Sequence, residues 1–85
     1  MTKTALILGV SGQDGAYLAH FLHHKGYQLH GTSRDPAATD FSGLERLGLR
    51  GAVTVHGVDL TQLNAMSALL HVVRPDEIYH LAGQS

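Results

Sequence analysis

Residues 4–15 read TALILGVSGQDG, and this stretch decides the fold. The run from Thr4 to Leu8 is apolar after its first residue, which is typical of a strand buried on both faces of a parallel sheet. The run breaks at Gly9, and two further glycines follow in the pattern G-x-x-G-x-x-G. Apolar residues then recur at helical spacing. The stretch therefore predicts a strand, a tight glycine-rich turn and a helix.

Strands and helices continue to alternate along the rest of the sequence. We predict a first helix of about three turns with Leu18, Phe21 and Leu22 as its apolar residues and a stop at Gly26. The other predicted elements are a strand over 27–33, a loop over 35–51 with one short amphipathic helix at 41–47, a strand over 52–58 and a strand over 77–81. A later helix is predicted to be capped by Thr61, to end before Pro75, and to carry Leu63, Met66, Leu69, Leu70 and Val73 as its apolar residues.

This alternation predicts the α/β fold class, with a Rossmann-type parallel sheet in the strand order 3-2-1-4 and helices on its faces. A complete sheet of this type continues with further strands, so the fourth strand would present an unpaired edge. We therefore interpret residues 1–85 as the N-terminal part of a dinucleotide-binding domain, truncated before the later strands and the substrate-binding region.

The composition argues against several classes of function. The chain has no cysteine, which excludes disulfides and thiolate metal sites. Six Lys and Arg against seven Asp and Glu give no basic face for nucleic acid. No window approaches the roughly 20 apolar residues of a membrane span, and the first apolar run lacks the features of an export signal. We therefore predict a cytoplasmic protein without a nucleic-acid or membrane partner.

Seven histidines raise the question of a metal site. His20 and His24 stand at i, i+4 with His23 between them, but no third carboxylate or cysteine ligand lies nearby in the sequence. We predict that these side chains form the solvent-facing side of the first helix and that no metal is bound.

In a dinucleotide-binding site, each of the three glycines is required for a different physical reason. Gly9 permits the tight turn, Gly12 lets the backbone approach a pyrophosphate, and Gly15 lets the helix pack close to the strand. The amides at the helix start then face the phosphates, and the helix dipole favours the negative charge. The alternative is a flexible turn without a ligand. Asp14 would repel a pyrophosphate, so we expect it to cap the helix or to turn toward protein neighbours.

The residues after the second strand bear on the choice of cofactor. NAD enzymes commonly place an acidic residue there to bind the adenosine ribose, whereas this chain has Ser33 and Arg34. A guanidinium suits the 2′-phosphate of NADP, so Arg34 favours NADP over NAD. Two alternatives remain open: Arg34 is a solvated loop residue, or a register shift of two makes Asp35 the ribose ligand.

Two further segments end predicted strands on the same side of the sheet. Asp59 and Leu60 follow the third strand, where a carboxylate could accept from the adenine amino group and a leucine could cover the ring; a helix-capping role for Asp59 is the alternative. The segment from Leu81 to Ser85 follows the fourth strand, beside the point where such sheets bind ligands, and its small residues leave room for a cofactor.

Several motifs together resemble the GDP-mannose 4,6-dehydratases of the extended short-chain dehydrogenase/reductase family, and the resemblance covers nearly all 85 residues. Its most specific part is the Gln13-Asp14 pair inside the glycine turn. Asp35 and Val58 depart from the family pattern, which often has a second arginine and a glycine at these places. The departures leave room for a sister reductase, epimerase or other sugar-nucleotide dehydratase. The motifs are residues 9–18, 25–27, 30–31, 34, 59–60, 75–79 and 81–85.

The resemblance implies that NADP is the cofactor and that a defined set of residues contacts it, with Gly15 completing the cofactor-binding turn. The set is Gly9, Val10, Ser11, Gly12, Gln13, Asp14, Arg34, Asp59, Leu60, Leu81, Ala82, Gly83, Gln84 and Ser85.

The resemblance also implies an activity. In the family, NADP takes a hydride from C4 of the sugar of GDP-mannose, water leaves from C6, and the hydride returns to C6. The base is a tyrosine in a Tyr-x-x-x-Lys motif, assisted by a threonine and a glutamate, and we expect all of them beyond Ser85. A homo-oligomer is what the family suggests for the intact protein. A non-catalytic NADP-binding module and a non-binding product of a truncated reading frame are the alternatives.

Overall fold

The computed structural model describes residues 2–81 and contains one four-stranded sheet in which every strand pair is parallel. The strand order is β3-β2-β1-β4, which confirms the predicted topology. The elements are β1 (Thr4–Leu8), α1 (Gln13–His24), β2 (Gln28–Ser33), α2 (Ser42–Arg46), a 3₁₀ turn (Arg50–Ala52), β3 (Val53–Gly57), α3 (Leu63–Val73) and β4 (Glu77–His80).

Strand β1 is the centre of the sheet because its side chains are apolar on both faces. Ala5 and Ile7 join the core beneath α1 and α2, while Leu6 and Leu8 join a second core beneath α3. Consecutive residues of a strand point to opposite faces, so an unbroken apolar run is what a strand covered on both sides requires. Helices on both faces leave the carboxyl ends of the strands accessible at one edge.

The buried face of α1 differs from the one that the large apolar residues suggested. Gly15, Ala16, Ala19 and Leu22 are buried, whereas Phe21 is 56% exposed. The helix lies so close to β1 that only small side chains fit between them over its first two turns. The apolar spacing therefore located the helix correctly but not its buried face.

The predicted start of α3 was wrong. Thr61 does not cap this helix, because the N-cap is Gln62, without a side-chain cap, and the Thr61 hydroxyl donates to the Asp59 carboxylate instead. Leu63 in the first turn is 81% exposed. The helix ends at Val73, before Pro75 as predicted, with Arg74 in the left-handed region at φ 49°.

The predicted short helix between the second and third strands is confirmed as α2, and its Leu44 is fully buried. The second, third and fourth strands were predicted one residue too long at one or both ends. Within residues 2–81, none of the helices has the length and apolar character needed to cross a membrane.

The amino ends of three neighbouring strands are tied by one carboxylate. The hydroxyl of Tyr27 donates to Glu77 Oε2 at 2.9 Å, and the hydroxyl of Tyr79 donates to Oε1 at 2.6 Å. Lys3 Nζ lies 3.8 Å from Oε2. These contacts hold the pKa of Glu77 below its ordinary value of 4.5, mainly through the Tyr79 hydroxyl and then the Tyr27 hydroxyl. The ionised form is therefore the one that the fold favours.

We expect the contribution of Glu77 to stability to be complete above pH 4.5 and to be lost as the pH falls through the depressed pKa of the folded state. The stability difference between the native protein and a Glu77→Gln variant should therefore shrink on acidification below pH 4.5. Thermal unfolding of both proteins at a series of pH values measures this difference. A difference that stays constant across that range would contradict the assignment.

Candidate cofactor-binding site

A cleft of about 640 Å³ lies at the carboxyl ends of β1, β2 and β3. A smaller cleft of about 260 Å³ adjoins it at Gly9 and extends to the front of α1. Ligands of open α/β sheets bind at this edge, and the larger volume lies within the range of about 300–1,000 Å³ that is usual for small-molecule sites. The larger cleft is lined by Gly9, Ser11, Thr32, Ser33, Arg34, Thr39, Val58, Asp59, Leu60, Thr61 and His80, and the smaller one by Gly9, Gly12, Gln13, Asp14, Gly15 and Leu81.

The glycine turn brings the start of α1 to the smaller cleft. Gly9 has φ 84°, in the left-handed region that the turn requires. A β-carbon on Gly15 would lie 2.7 Å from the carbonyl oxygen of Val10, so only glycine permits this approach of helix and turn. A β-carbon on Gly12 would meet no atom of residues 2–81 within 4 Å. The space beside Gly12 is therefore open to a ligand rather than filled by the protein.

The first amides of α1 are available to an anion. The helix begins at Gln13, and the first intrahelical bond runs from the amide of Ala16 to the carbonyl of Gly12. The amides of Gln13, Asp14 and Gly15 come before it and have no partner within the helix. Three such donors at the positive end of a helix dipole are an arrangement that favours an anion, and they lie beside the open space at Gly12.

Thr32 fixes the turn and was not singled out in the sequence. Its Oγ1 accepts a hydrogen bond from the Gly9 amide at 3.0 Å, and its carbonyl accepts from the Val10 amide at 3.1 Å. The side chain is only 1% exposed, although it lines the larger cleft. A threonine at the carboxyl end of a buried strand was the available signal, but its partner lies 23 residues away.

The carboxylate of Asp59 is held by one of its two oxygens. Oδ1 accepts from the Thr61 hydroxyl at 2.7 Å and from the Thr61 amide at 3.0 Å, and Arg34 Nη2 lies 3.9 Å from the same oxygen. The Thr61 hydroxyl, then the Thr61 amide and Arg34, hold the pKa of Asp59 below its ordinary value. Within residues 2–81, Oδ2 has no hydrogen-bond partner. An ionised acceptor is therefore presented beside the larger cleft.

Arg34, rather than Asp35, lines the larger cleft. Strand β2 ends at Ser33, so the register shift that would have placed Asp35 there does not occur. The carbonyl of Asp35 closes a turn by accepting from the amide of Ala38 at 3.1 Å. The Arg34 side chain is 78% exposed and is near Asp59 only at ion-pair distance. At the end of β2, the larger cleft is therefore lined by an exposed cation rather than by the Asp35 carboxylate.

A sequence model of GDP-mannose 4,6 dehydratases matches residues 6–85. The chain belongs to the GDP-mannose 4,6-dehydratase family. It is 39% identical over 98% of its length to the GDP-mannose 4,6 dehydratase of Cricetulus griseus, and 39% identical over its full length to that of Vibrio cholerae. In both cases it spans about a quarter of the relative, 24% of the length.

The fold has counterparts among solved structures. The crystal structure of the Bordetella bronchiseptica enzyme WbmH in complex with NAD⁺ superposes with a TM-score of 0.76 over 96% of this chain and 26% of that one, at 22% identity. At this identity the likeness supports the sheet topology and the course of the helices.

Two residues of the set implied by the dehydratase resemblance lie differently from expectation. Val10 is fully buried in the core beneath α1, with its amide bonded to Thr32, so it supports the turn from behind. Asp14 was expected to cap α1 or to turn toward protein neighbours, and the capping role was wrong. The N-cap of α1 is Gly12, and within residues 2–81 the Asp14 carboxylate makes no hydrogen bond and lines the smaller cleft.

Of the remaining residues implied by the dehydratase resemblance, two leucines line the clefts and four residues are not described by the structure. Leu60 lines the larger cleft and also packs on the core beneath α3, and Leu81 lines the smaller cleft. The amide of Leu81 donates to the carbonyl of Leu8 at 2.9 Å, which anchors it beside β1. Ala82, Gly83, Gln84 and Ser85 lie outside the described residues.

Four of the seven histidines form two pairs. Among residues 2–81, no three potential ligands of the His, Asp or Glu type come close enough to hold a metal ion. The rings of His20 and His24 lie 4.5 Å apart, edge to face. His30 Nδ1 and His56 Nε2 are hydrogen-bonded at 2.9 Å, and burial, followed by the neighbouring His56, lowers the pKa of His30.

Proposed function

We propose that this chain is the NADP-binding part of a nucleotide-sugar dehydratase, a lyase that converts GDP-mannose to GDP-4-keto-6-deoxymannose. The observation that carries the proposal is that two clefts meet at Gly9: the smaller one at the open start of α1 beside Gly12, and the larger one lined by Arg34. Membership of the dehydratase family supports this reaction among those that such a site could serve.

The donors and the space suit a dinucleotide in one orientation. The amides of Gln13, Asp14 and Gly15 would hold the pyrophosphate, with Gly12 providing the room for its approach. The adenosine would then lie in the larger cleft, where Asp59 Oδ2 would accept from the adenine amino group and Leu60 would cover the ring. The contacts expected for Asp59 and Leu60 are compatible, because Asp59 would bind the edge of the adenine ring and Leu60 would pack on its face.

Arg34 supports NADP rather than NAD. Arg34 lines the larger cleft together with Ser33 and Thr39, and Asp35 is not part of the lining. A phosphate on the adenosine ribose would therefore meet a cation, rather than a carboxylate, at the end of β2.

When bound, NADP would supply the acceptor and donor of the hydride. The present residues would bind and orient the cofactor, but none of the three tyrosines is part of a Tyr-x-x-x-Lys motif, so proton transfer from the sugar would fall to residues outside this chain. The Asp14 carboxylate beside the pyrophosphate region would oppose its negative charge, which the three helix amides and the helix dipole must outweigh.

The activity is tested with protein expressed from the complete reading frame, GDP-mannose and a catalytic amount of NADP⁺. We expect a 4-keto-6-deoxy sugar nucleotide to form with many turnovers per cofactor, because the hydride returns to the same sugar. An epimerised hexose that retains all its oxygen atoms would overturn the dehydratase assignment and favour a sister enzyme. Absence of binding to either nicotinamide cofactor would overturn the cofactor-binding role as well.

The Arg34→Ala variant should lose affinity for NADP⁺ by about tenfold and lose little for NAD⁺. A hydrogen bond to a charged group contributes about 1.5–3 kcal/mol, and the exposure of Arg34 places the effect at the lower end. The exposed ion pair with Asp59 adds little to stability, so the fold should be unaffected. Calorimetric titration of each cofactor measures the two dissociation constants.

An Arg50→Ala variant is the matched control, since it removes the same charge at the amino end of β3, away from the cleft. It should leave both affinities unchanged. Equal losses for NADP⁺ and NAD⁺ in Arg34→Ala would remove Arg34 from the recognition of the 2′-phosphate.

A further inference from the structure

A short chain of hydroxyl hydrogen bonds lies beside Arg34 in the wall of the larger cleft. Ser33 Oγ and Thr39 Oγ1 are 2.7 Å apart, and the Thr39 hydroxyl donates to the carbonyl oxygen of Asp35 at 2.5 Å. Both hydroxyl-bearing residues line the cleft together with Arg34. The family resemblance did not single out Thr39.

The direction of these hydrogen bonds follows from counting protons. A hydroxyl has one proton to donate, and that of Thr39 goes to the Asp35 carbonyl. Ser33 must therefore be the donor in its contact with Thr39. Both protons are engaged within the loop, so the cleft meets only oxygen lone pairs, which repel a phosphate.

The two hydroxyls can rotate toward the cleft without leaving the Asp35 carbonyl unpaired. The Asp35 carbonyl also accepts from the amide of Ala38 at 3.1 Å, so it keeps one partner when the Thr39 hydroxyl rotates away. The rotated hydroxyl can then donate into the cleft, and Ser33 is free to do the same. This costs two hydrogen bonds in the loop, those from Thr39 to Asp35 and from Ser33 to Thr39, and provides two donors to a bound anion.

We propose that Thr39 is a specificity-determining residue: together with Ser33 it donates its hydroxyl to the 2′-phosphate of NADP beside the Arg34 guanidinium, and it keeps its bond to the Asp35 carbonyl when that phosphate is absent. The inference rests on the proposed NADP-binding function. Arg34 is largely exposed, so a single guanidinium in water holds a phosphate weakly, and the less exposed hydroxyls supply the directed donors. The ribose hydroxyl of NAD carries no charge and gains less from the rearrangement.

The experiment compares Thr39→Val with Thr39→Ser in protein from the complete reading frame. We expect Thr39→Val to raise the dissociation constant of NADP⁺ about tenfold and that of NAD⁺ less than about twofold. Thr39→Ser keeps the hydroxyl and should remain within about twofold of the native protein for both cofactors. Adenosine 2′,5′-bisphosphate and 5′-AMP, titrated in the same way, should reproduce the difference, because they differ only in the 2′-phosphate.

Ser33→Ala serves as the second variant, because it removes a hydroxyl without disturbing the turn at Asp35. It should show the same selective loss for NADP⁺. Equal losses of affinity for both cofactors in these variants would show that Thr39 is only a structural residue of the loop. An unchanged NADP⁺ affinity in Thr39→Val would overturn the proposal and leave the NADP-binding function standing. A native protein that binds neither cofactor would overturn both.

Discussion

Gly15→Ala is expected to destabilise the protein by about 3 kcal/mol, because the added methyl group has no space to occupy. Its β-carbon would lie 2.7 Å from the carbonyl oxygen of Val10 and 2.9 Å from the carbonyl carbon and the α-carbon of the same residue. All three contacts are with backbone atoms, so no side chain can rotate to relieve them. The amide of Val10 is in turn bonded to Thr32, which prevents the turn from moving away from the helix.

Chemical denaturation of the native and variant proteins, followed by circular dichroism, measures the change in the free energy of unfolding. Gly51→Ala is the matched control, since a β-carbon at Gly51 meets no atom within 4 Å and this residue has no positive φ. The control should lie within about 0.5 kcal/mol of the native protein. A Gly15→Ala variant as stable as the control would show that α1 does not depend on its close approach to the turn.

The sheet could be predicted from the sequence because its signals are local. The apolar run Thr4–Leu8, the glycine spacing and the helical periodicity each lie within a few residues, and parallel topology follows from their alternation. The same reasoning failed to predict which face of α1 is buried, because the distance between the helix and the sheet decides it. The close approach of α1 to β1 selects Ala16 and Ala19 for the interface and leaves Phe21 exposed, and no periodicity of large apolar residues reports that distance.

The sequence predicted several of the residues that line the two clefts, but not the contacts that support them. The glycines, Arg34 and Asp59 follow from the chemistry of phosphate and adenine recognition at the ends of strands. Thr32 and Thr39 do not, because their roles depend on partners that only the folded loop brings into reach. Polar residues with alternative hydrogen-bond partners are therefore the part of this site that sequence patterns cannot specify.

Gly12→Asp should leave the protein at least as stable as the native form while it lowers the affinity for both NADP⁺ and NAD⁺ by at least about 100-fold. Gly12 is the N-cap of α1 at φ −75° and ψ 173°, a conformation open to any residue, and a β-carbon there meets no atom of the described part of the chain within 4 Å. Aspartate is among the best N-cap residues, so the fold should gain up to a few tenths of a kcal/mol. The same carboxylate would accept from the amides of Asp14 or Gly15 and would repel the pyrophosphate that needs them.

Stability and affinity are thus expected to change in opposite directions at one position, which separates a ligand-binding glycine from a structural one. Losing hydrogen bonds to a charged group at about 1.5–3 kcal/mol each accounts for the size of the expected loss in affinity. Denaturation and cofactor titration on the same preparation measure both quantities, and Gly51→Asp adds the same charge at a distance from the clefts as a control. If Gly12→Asp unfolds the protein, glycine at this position serves the turn; if it binds both cofactors normally, the pyrophosphate does not lie at the start of α1.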